Sequence, residues 1–241
     1  MKRLIFSLLT LLLPYSVWAA KPRVELAMPY YEGYTNPNGT GIYWDIFRNI
    51  YEKHGYTVNT INLPYARATF LLKNAKTDVV TGAYFKEFNN VLFPKRELSF
   101  DIDIVSAVYL KSSSLKIVNV NDLIDKRVGW PHGYRYELYL PKIKKSSKLT
   151  GGIYAINMLK KNRLDYYLDS NTEIEQIINK IDPNREVYGI QDILQIHLYP
   201  AFPDTKKGWE LLKIYESEIK ILQESGKLKM YYEKYGAKYL K

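Results

Sequence analysis

The strongest constraint on the fold is an alternation of short apolar runs with stretches of helical periodicity, and the chain carries it twice. Residues 23–28 form an extended run stopped by Pro29, and residues 30–40 are turn-rich around Asn36, Pro37, Asn38 and Gly39. After Gly41, Ile42, Ile46 and Ile50 recur at helical spacing as far as His54, where Gly55 ends the helix. Residues 58–63 read as the next strand, broken by Pro64. A helix over 66–74 leads into a buried-type strand at 78–81, followed by Gly82. This order predicts parallel βα units with helices packed on the sheet faces.

The pattern restarts after a long apolar strand or crossover at 102–110. A polar break at 112–114, an extended segment at 117–118 and a short helix over 120–124 precede a strand at 127–130. The spacing predicts a helix over 134–140 after the Gly133 turn, another over 154–161, a strand at 165–168 and a helix over 174–181. Residues 193–202 form a second long extended run. A helix over 209–224 follows, striped by Leu211, Leu212, Tyr215, Ile219 and Leu222, then Gly226 and a short helix over 228–235. The expected fold is α/β, with two lobes joined by two crossover hinge strands. Residues 20–108 give the first part of lobe 1, 109–192 lobe 2, and 193–241 the return crossing and helices completing lobe 1. Ligands of open α/β sheets bind beyond the carboxyl ends of the strands, so binding residues are sought in post-strand loops.

The N-terminus points to export. Lys2 and Arg3, the apolar run at 4–13, and Val17 and Ala19 before a cut form a secretory signal pattern. The run is too short to span a bilayer. Residues 1–19 are therefore set apart as a signal peptide, and the rest is expected in a bacterial periplasm. The chain has no cysteine, which excludes disulfides, a thiol nucleophile and thiolate metal ligands, and no lipid anchor on a cysteine is expected. Removing Lys2 and Arg3 lowers the formal charge from +10 to +8. Lys142, Lys144, Lys145 and Lys148 group in a surface-like stretch. Without zinc-finger spacing or a single basic helix, the balance reads as a solvated face suited to anionic lipid or a membrane partner, and no nucleic acid is expected.

Several stations carry a resemblance. They are Gly41 to Asp45 opening the first long helix, Pro64, Tyr65, Arg67 and Ala68 before the second, and Asp78 to Gly82. They continue with Val128, Gly129, Trp130 and Gly133, then Leu159 to Asp165 with Asp169, and the ending at 222–235. In this order the chain resembles the bacterial extracellular solute-binding proteins of family 3, with the type II periplasmic binding fold, from about residue 24 to 235. The resemblance implies a soluble, monomeric receptor that closes on a small polar solute and delivers it to the permease of an ABC importer, as in amino acid transport.

In that family an arginine of the first lobe clamps the ligand carboxylate, and the position matched to it here is Asn90. The matching loop offers Gly82, Ala83 and Phe85, leaving Thr81 as the nearby hydroxyl. Bidentate recognition of an α-carboxylate from this position is lost. Arg67 is a candidate replacement, with an inter-loop salt bridge as its other reading. Arg135 and Tyr134 follow the Gly133 turn at an expected helix start, where free N–H groups and the helix dipole favour an anion. Asp169 matches the aspartate that accepts the ligand ammonium, and Asp165 a structural one.

Tyrosines number 23. Tyr30, Tyr31, Tyr34, Tyr43, Trp44, Tyr65, Tyr84, Phe85 and Trp130 crowd the expected loops and could stack on a flat or amine-bearing ligand. Tyr30, Trp44 and Trp130 are the favoured wall residues, with Tyr84 beside them, and core packing is the other reading of each. The ligand implied is small and zwitterionic or amine-bearing.

No catalytic, cofactor or metal site is expected. His54, His132 and His197 are far apart, no GxSxG elbow occurs, and Gly129 and Gly133 do not make a dinucleotide motif. The alternative to import is a module that reports to a membrane sensor or carries a degenerate pocket, and an enzyme is a minor one.

Overall fold

The computed structural model describes residues 21–113, 115 and 119–240. The signal segment at 1–19 and the extended segment expected at 117–118 lie outside the described residues. The chain runs through β1 (Arg23–Met28), α1 (Ile42–Glu52), β2 (Thr57–Asn62), α2 (Tyr65–Lys73) and β3 (Val79–Tyr84). A short strand, β4 (Val91–Leu92), precedes the first crossing, β5 (Asp101–Leu110). The second lobe contains β6 (Val128–Pro131), β7 (Ser146–Leu149), α3 (Gly152–Lys160), β8 (Tyr166–Ser170) and α4 (Asn171–Ile181). The second crossing, β9 (Tyr188–Pro203), returns to the first lobe, where α5 (Lys206–Glu224) and α6 (Lys227–Lys234) pack.

One sheet path runs β2-β1-β3-β9-β5-β8-β6-β7, with β4 paired to β9. β1 is parallel to β2 and β3, and β6 is parallel to β7 and β8. β5 and β9 are antiparallel to each other, from the Asp101–Leu198 pair to the Leu110–Tyr188 pair, with one irregularity between Val105 and Ser106. The two lobes thus hang from one pair of crossing strands, the two-lobed α/β architecture the alternation predicts.

Helices on both faces explain why β3 is buried at every position instead of alternating. In α1 the residues at helical spacing, Trp44, Ile46, Phe47 and Ile50 among them, are buried. Phe47 stacks on Tyr215 of α5 at 5.8 Å between ring centres. The hydroxyls of Tyr215 and Tyr232 donate to the carbonyls of Leu98 and Phe100 at 2.8 and 2.9 Å. These bonds fix the C-terminal helices against the start of β5. A second apolar cluster, including Ile156, Leu159, Ile174 and Ile178, fills the space under α3 and α4.

Three local expectations change. The helix expected over 134–140 is a single 3-10 turn, Tyr136–Leu138. Tyr136 is fully buried against the rings of Tyr84, Trp130 and Tyr134, and this packing, between Gly133 and Pro141, sets the backbone. So short a turn has no appreciable dipole, so the anion site expected at Arg135 lacks its helix. The strand expected at 78–81 runs on to Tyr84, because Gly82 lets Met28 lie across it: a Cβ there would stand 2.3 Å from the Met28 methyl. β7 escaped notice because it is an edge strand whose Ser146, Ser147 and Lys148 are exposed and polar.

Candidate ligand-binding site

The carboxyl ends of the parallel strands in both lobes border a cavity of about 330 Å³. The loop after β1 supplies Tyr31 and Tyr34, α1 supplies Tyr43, α2 Tyr65 and β3 Tyr84. From the second lobe come Tyr134, after β6, and Ser170, Asn171 and Thr172 at the β8–α4 junction. The floor is the beginning of β5, whose Asp101 and Asp103 are two residues apart and therefore share a strand face.

The acids are held by tyrosines. Asp101 accepts from the Tyr43 hydroxyl at 2.6 Å and from the Ile102 N–H at 2.8 Å. Asp103 accepts from the Tyr84 hydroxyl at 2.7 Å. Behind the wall, Glu87 accepts from Tyr65 at 2.6 Å and from the Tyr84 N–H at 3.1 Å. Asp169 accepts from the Tyr167 hydroxyl, and from the Ser170 N–H at 2.9 Å. Burial dominates the charge state of all four. It pushes Asp101 up to about 7, Glu87 up to about 7 and Asp169 up to about 8, against the pull of those donors, and it raises Asp103 as well. Glu173, in the first turn of α4, is raised by burial too. The one cationic side chain among the described lining residues is Lys238, exposed in the segment after α6.

The lobes touch around this cavity. The Tyr31 and Tyr134 hydroxyls are hydrogen-bonded across it. Tyr65 meets Tyr134 edge-on at 5.3 Å, and Tyr84 stacks on Tyr136 at 5.9 Å. At Gly133, with φ +96°, a Cβ would lie 3.1 Å from the Ala66 Cβ, so only glycine suits this approach of the second lobe to α2. The arrangement is a closed one.

Of the favoured residues Tyr84 and Tyr134 line the cavity, and so do Tyr31, Tyr34, Tyr43 and Tyr65 of the wider aromatic set. Asp169 is buried beside the lining Ser170, and its charge is felt at Tyr31 and Tyr134. The others stand elsewhere. Arg67 is exposed on α2, outside the cavity, and Arg135 pairs with Glu137 at 2.6 Å. Thr81 is fully buried within β3, where flanking structure covers both faces. Trp44 is fully buried, donating to the Asn36 carbonyl at 3.2 Å. Trp130 is fully buried too, and the Lys148 ammonium sits 4.3 Å from its ring centre. Tyr30 is 50 % exposed. Asn90 lies off the cavity in a left-handed conformation.

The wall is thus built from the immediate neighbours of two favoured residues, Tyr31 in place of Tyr30 and Tyr43 in place of Trp44. Consecutive side chains diverge by about 100° on a helix and point to opposite faces of an extended segment, so adjacency alone could not choose between them. Asp101 and Asp103 went unnoticed, although an acid–Ile–acid–Ile alternation opening an apolar strand is a readable signal. His54 bonds Glu218 and His197 bonds Ser99, and neither lines the cavity. Among the described residues no group of three or more potential ligands could hold a metal.

No family model matches the chain, and no curated protein does. Solved structures do. A histidine kinase sensor domain with similarity to periplasmic binding proteins aligns with a TM-score of 0.72 at 18% identity, covering 89% of this chain and 96% of its own. The GluR0 ligand-binding core in complex with L-glutamate aligns at 0.70 and 13% identity, covering 90% and 99%. An ancestral arginine-binding protein bound to arginine aligns at 0.69 and 20% identity, also covering 90% and 99%. At such identities the likeness is one of fold, and the chain has the two-lobed type II periplasmic-binding-protein fold.

Proposed function

We propose that this protein is a periplasmic receptor for a small amine-bearing cation, which it encloses between its lobes and passes to the permease of an ABC importer. The observation that carries the reading is the pairing of Asp101 and Asp103 with a wall of tyrosine rings, in a cavity whose described lining contains no arginine. An ammonium or guanidinium gains charge-assisted bonds from the two carboxylates and cation–π contact from the rings. It also relieves the carboxylates, whose ionised forms are otherwise disfavoured by burial. The cavity is at the small end of ligand pockets, which span about 300–1,000 Å³. A ligand touching Tyr31 and Tyr134 together favours the closed form, and no covalent chemistry is involved.

This reading departs from a plain α-amino-acid receptor, because a ligand carboxylate would face Asp101 and Asp103 with only Lys238 as a cation. The bound ligands of the arginine and glutamate proteins of like fold support solute binding as a class, and the guanidinium of arginine is one cation of the kind proposed. The sensor-domain match favours a second reading, in which the same closure reports to a membrane sensor.

The test is a thermal-shift and calorimetry screen of the protein with alkyl monoamines, diamines, guanidino compounds, zwitterionic amino acids and small carboxylic acids. Saturable binding of the cations, above that of the zwitterions and acids, is expected. Binding restricted to carboxylic acids or zwitterions would overturn the proposal. Loss of uptake of the bound amine on deletion, against loss of a transcriptional response, separates import from sensing.

A further inference from the structure

The far end of the second lobe has the opposite chemistry. β8, β6 and β7 lie side by side and parallel, with Val128 level with both Ser146 and Tyr166. The register therefore gathers at one pole whatever precedes these strands. Lys126 and Arg127 come before β6, Lys144 and Lys145 before β7, and Lys160, Lys161 and Arg163 before β8. Backbone bonds hold the three approaches together: the Val128 N–H donates to the Lys145 carbonyl at 3.1 Å and the Asp165 N–H to the Arg127 carbonyl at 2.8 Å. Arg127 is engaged by Asp165 at 2.7 Å. None of the other six cations lies within ion-pair distance of a carboxylate among the described residues, and all but Lys126 are exposed. The remaining acids of these approaches are Asp122 and Asp125.

We infer that this pole docks the second lobe onto a bilayer surface carrying anionic headgroups. Five of the six unpaired cations are lysines, whose compact charges suit a diffuse field of phosphates, whereas nucleic-acid recognition leans on the arginine fork. No helix among the described residues is long and apolar enough to cross a membrane, so the contact is peripheral and screened by salt. The pole lies at the amino ends of the strands whose carboxyl ends border the cavity. Docking there leaves the cleft open to solute.

The experiment is co-sedimentation of the full chain with vesicles of phosphatidylglycerol in phosphatidylcholine, and with vesicles of phosphatidylcholine alone, at low and high salt. Partition onto the anionic vesicles only, abolished by high salt, is expected. Each cation near the surface contributes roughly fivefold, so replacing Lys144, Lys145 and Lys161 together by Gln lowers partition about 100-fold. The same change at Lys213 and Lys220 of α5 lowers it far less. Circular dichroism verifies that both variants fold. Equal partition onto neutral vesicles, or an unchanged triple variant, overturns the inference. So does equally tight binding to duplex DNA at the same salt, which would make the pole a general polyanion site.

Discussion

Two aspartates at opposite ends of one strand show how the fold assigns roles. Asp165, just before β8, takes the Arg127 guanidinium and the Arg127 N–H, and that partner holds its carboxyl below the ordinary carboxylate range. Asp169, near the end of β8, has no cation beside it among the described residues. Burial lifts it to about 8, although Tyr167 and Ser170 donate to it. The same side chain on the same strand is a charged fastener at the amino end and an unneutralised acid at the carboxyl end. The difference lies in the partner: a loop arginine at the pole, and beside the cavity lining only the Tyr167 hydroxyl and the Ser170 N–H in a buried setting.

The largest expected effect separates the two ends by affinity. Converting both Asp101 and Asp103 to Asn removes two charge-assisted bonds and lowers affinity for the amine ligand by about 100-fold or more in calorimetry. An unchanged affinity would break the comparison at its cavity end. Next come the single changes on β8, with opposite outcomes. Asp165→Asn costs about 1–2 kcal/mol of stability in urea titration and leaves ligand affinity intact, since it loses only the Arg127 bonds. Asp169→Asn keeps stability near the parent value at neutral pH, because the parent carboxyl, lifted to about 8, is itself largely neutral there, and weakens the amine roughly tenfold.

The pH dependence sharpens the contrast. Asp101 and Asp169 hold protons in the folded state up to about 7 and about 8, well above the ordinary 3.8. Their contribution to the stability of the ligand-free protein is full below the ordinary range and is lost as pH rises toward 8. Asp165 acts in reverse, its contribution present above 3.8 and lost as pH falls through its lowered value. Thermal melts from acid to mildly alkaline pH should therefore decline on the upper side, and Asp169→Asn should flatten that decline. Amine affinity should rise over the same interval, by up to tenfold per pH unit for each proton released. The smallest effect is at Lys238. Replacing it by Met removes a repulsive charge at the cavity edge and raises amine affinity a few-fold at low salt; a fall would identify it as a ligand contact.

The difference between the ends of β8 also marks what was readable in the chain. The βα order, the two crossings and α5 follow from periodicity and glycine punctuation, and each appears within a few residues of its expected bounds. Tyr134 follows the Gly133 turn, a post-strand position, and lines the cavity, whereas Asp169, which rests on the family resemblance, lies buried beside the lining Ser170. The choice of Tyr43 over Trp44 was not readable, because the rotation of α1 is set by its packing on α5 and not by its own sequence. The 3-10 turn at Tyr136 is unreadable for a related reason: its ring packs on Tyr84 of β3, more than fifty residues away in sequence, as well as on the nearby Trp130. Arg67 and Arg135 read as anion clamps because guanidinium groups near a cleft invite that role. The structure gives one to solvent and the other to Glu137.

The crossing strands have a consequence for how the molecule comes apart. β9 completes the ladder of β3 on one side and of β5 on the other, while β5 completes that of β8. Neither lobe keeps a full set of backbone partners once the other has melted, because the strands each would need are the same two. Loss of either lobe exposes the edge that the other depends on. The expected calorimetric signature is one cooperative transition for both lobes, with the slowest-exchanging amides along β5 and β9.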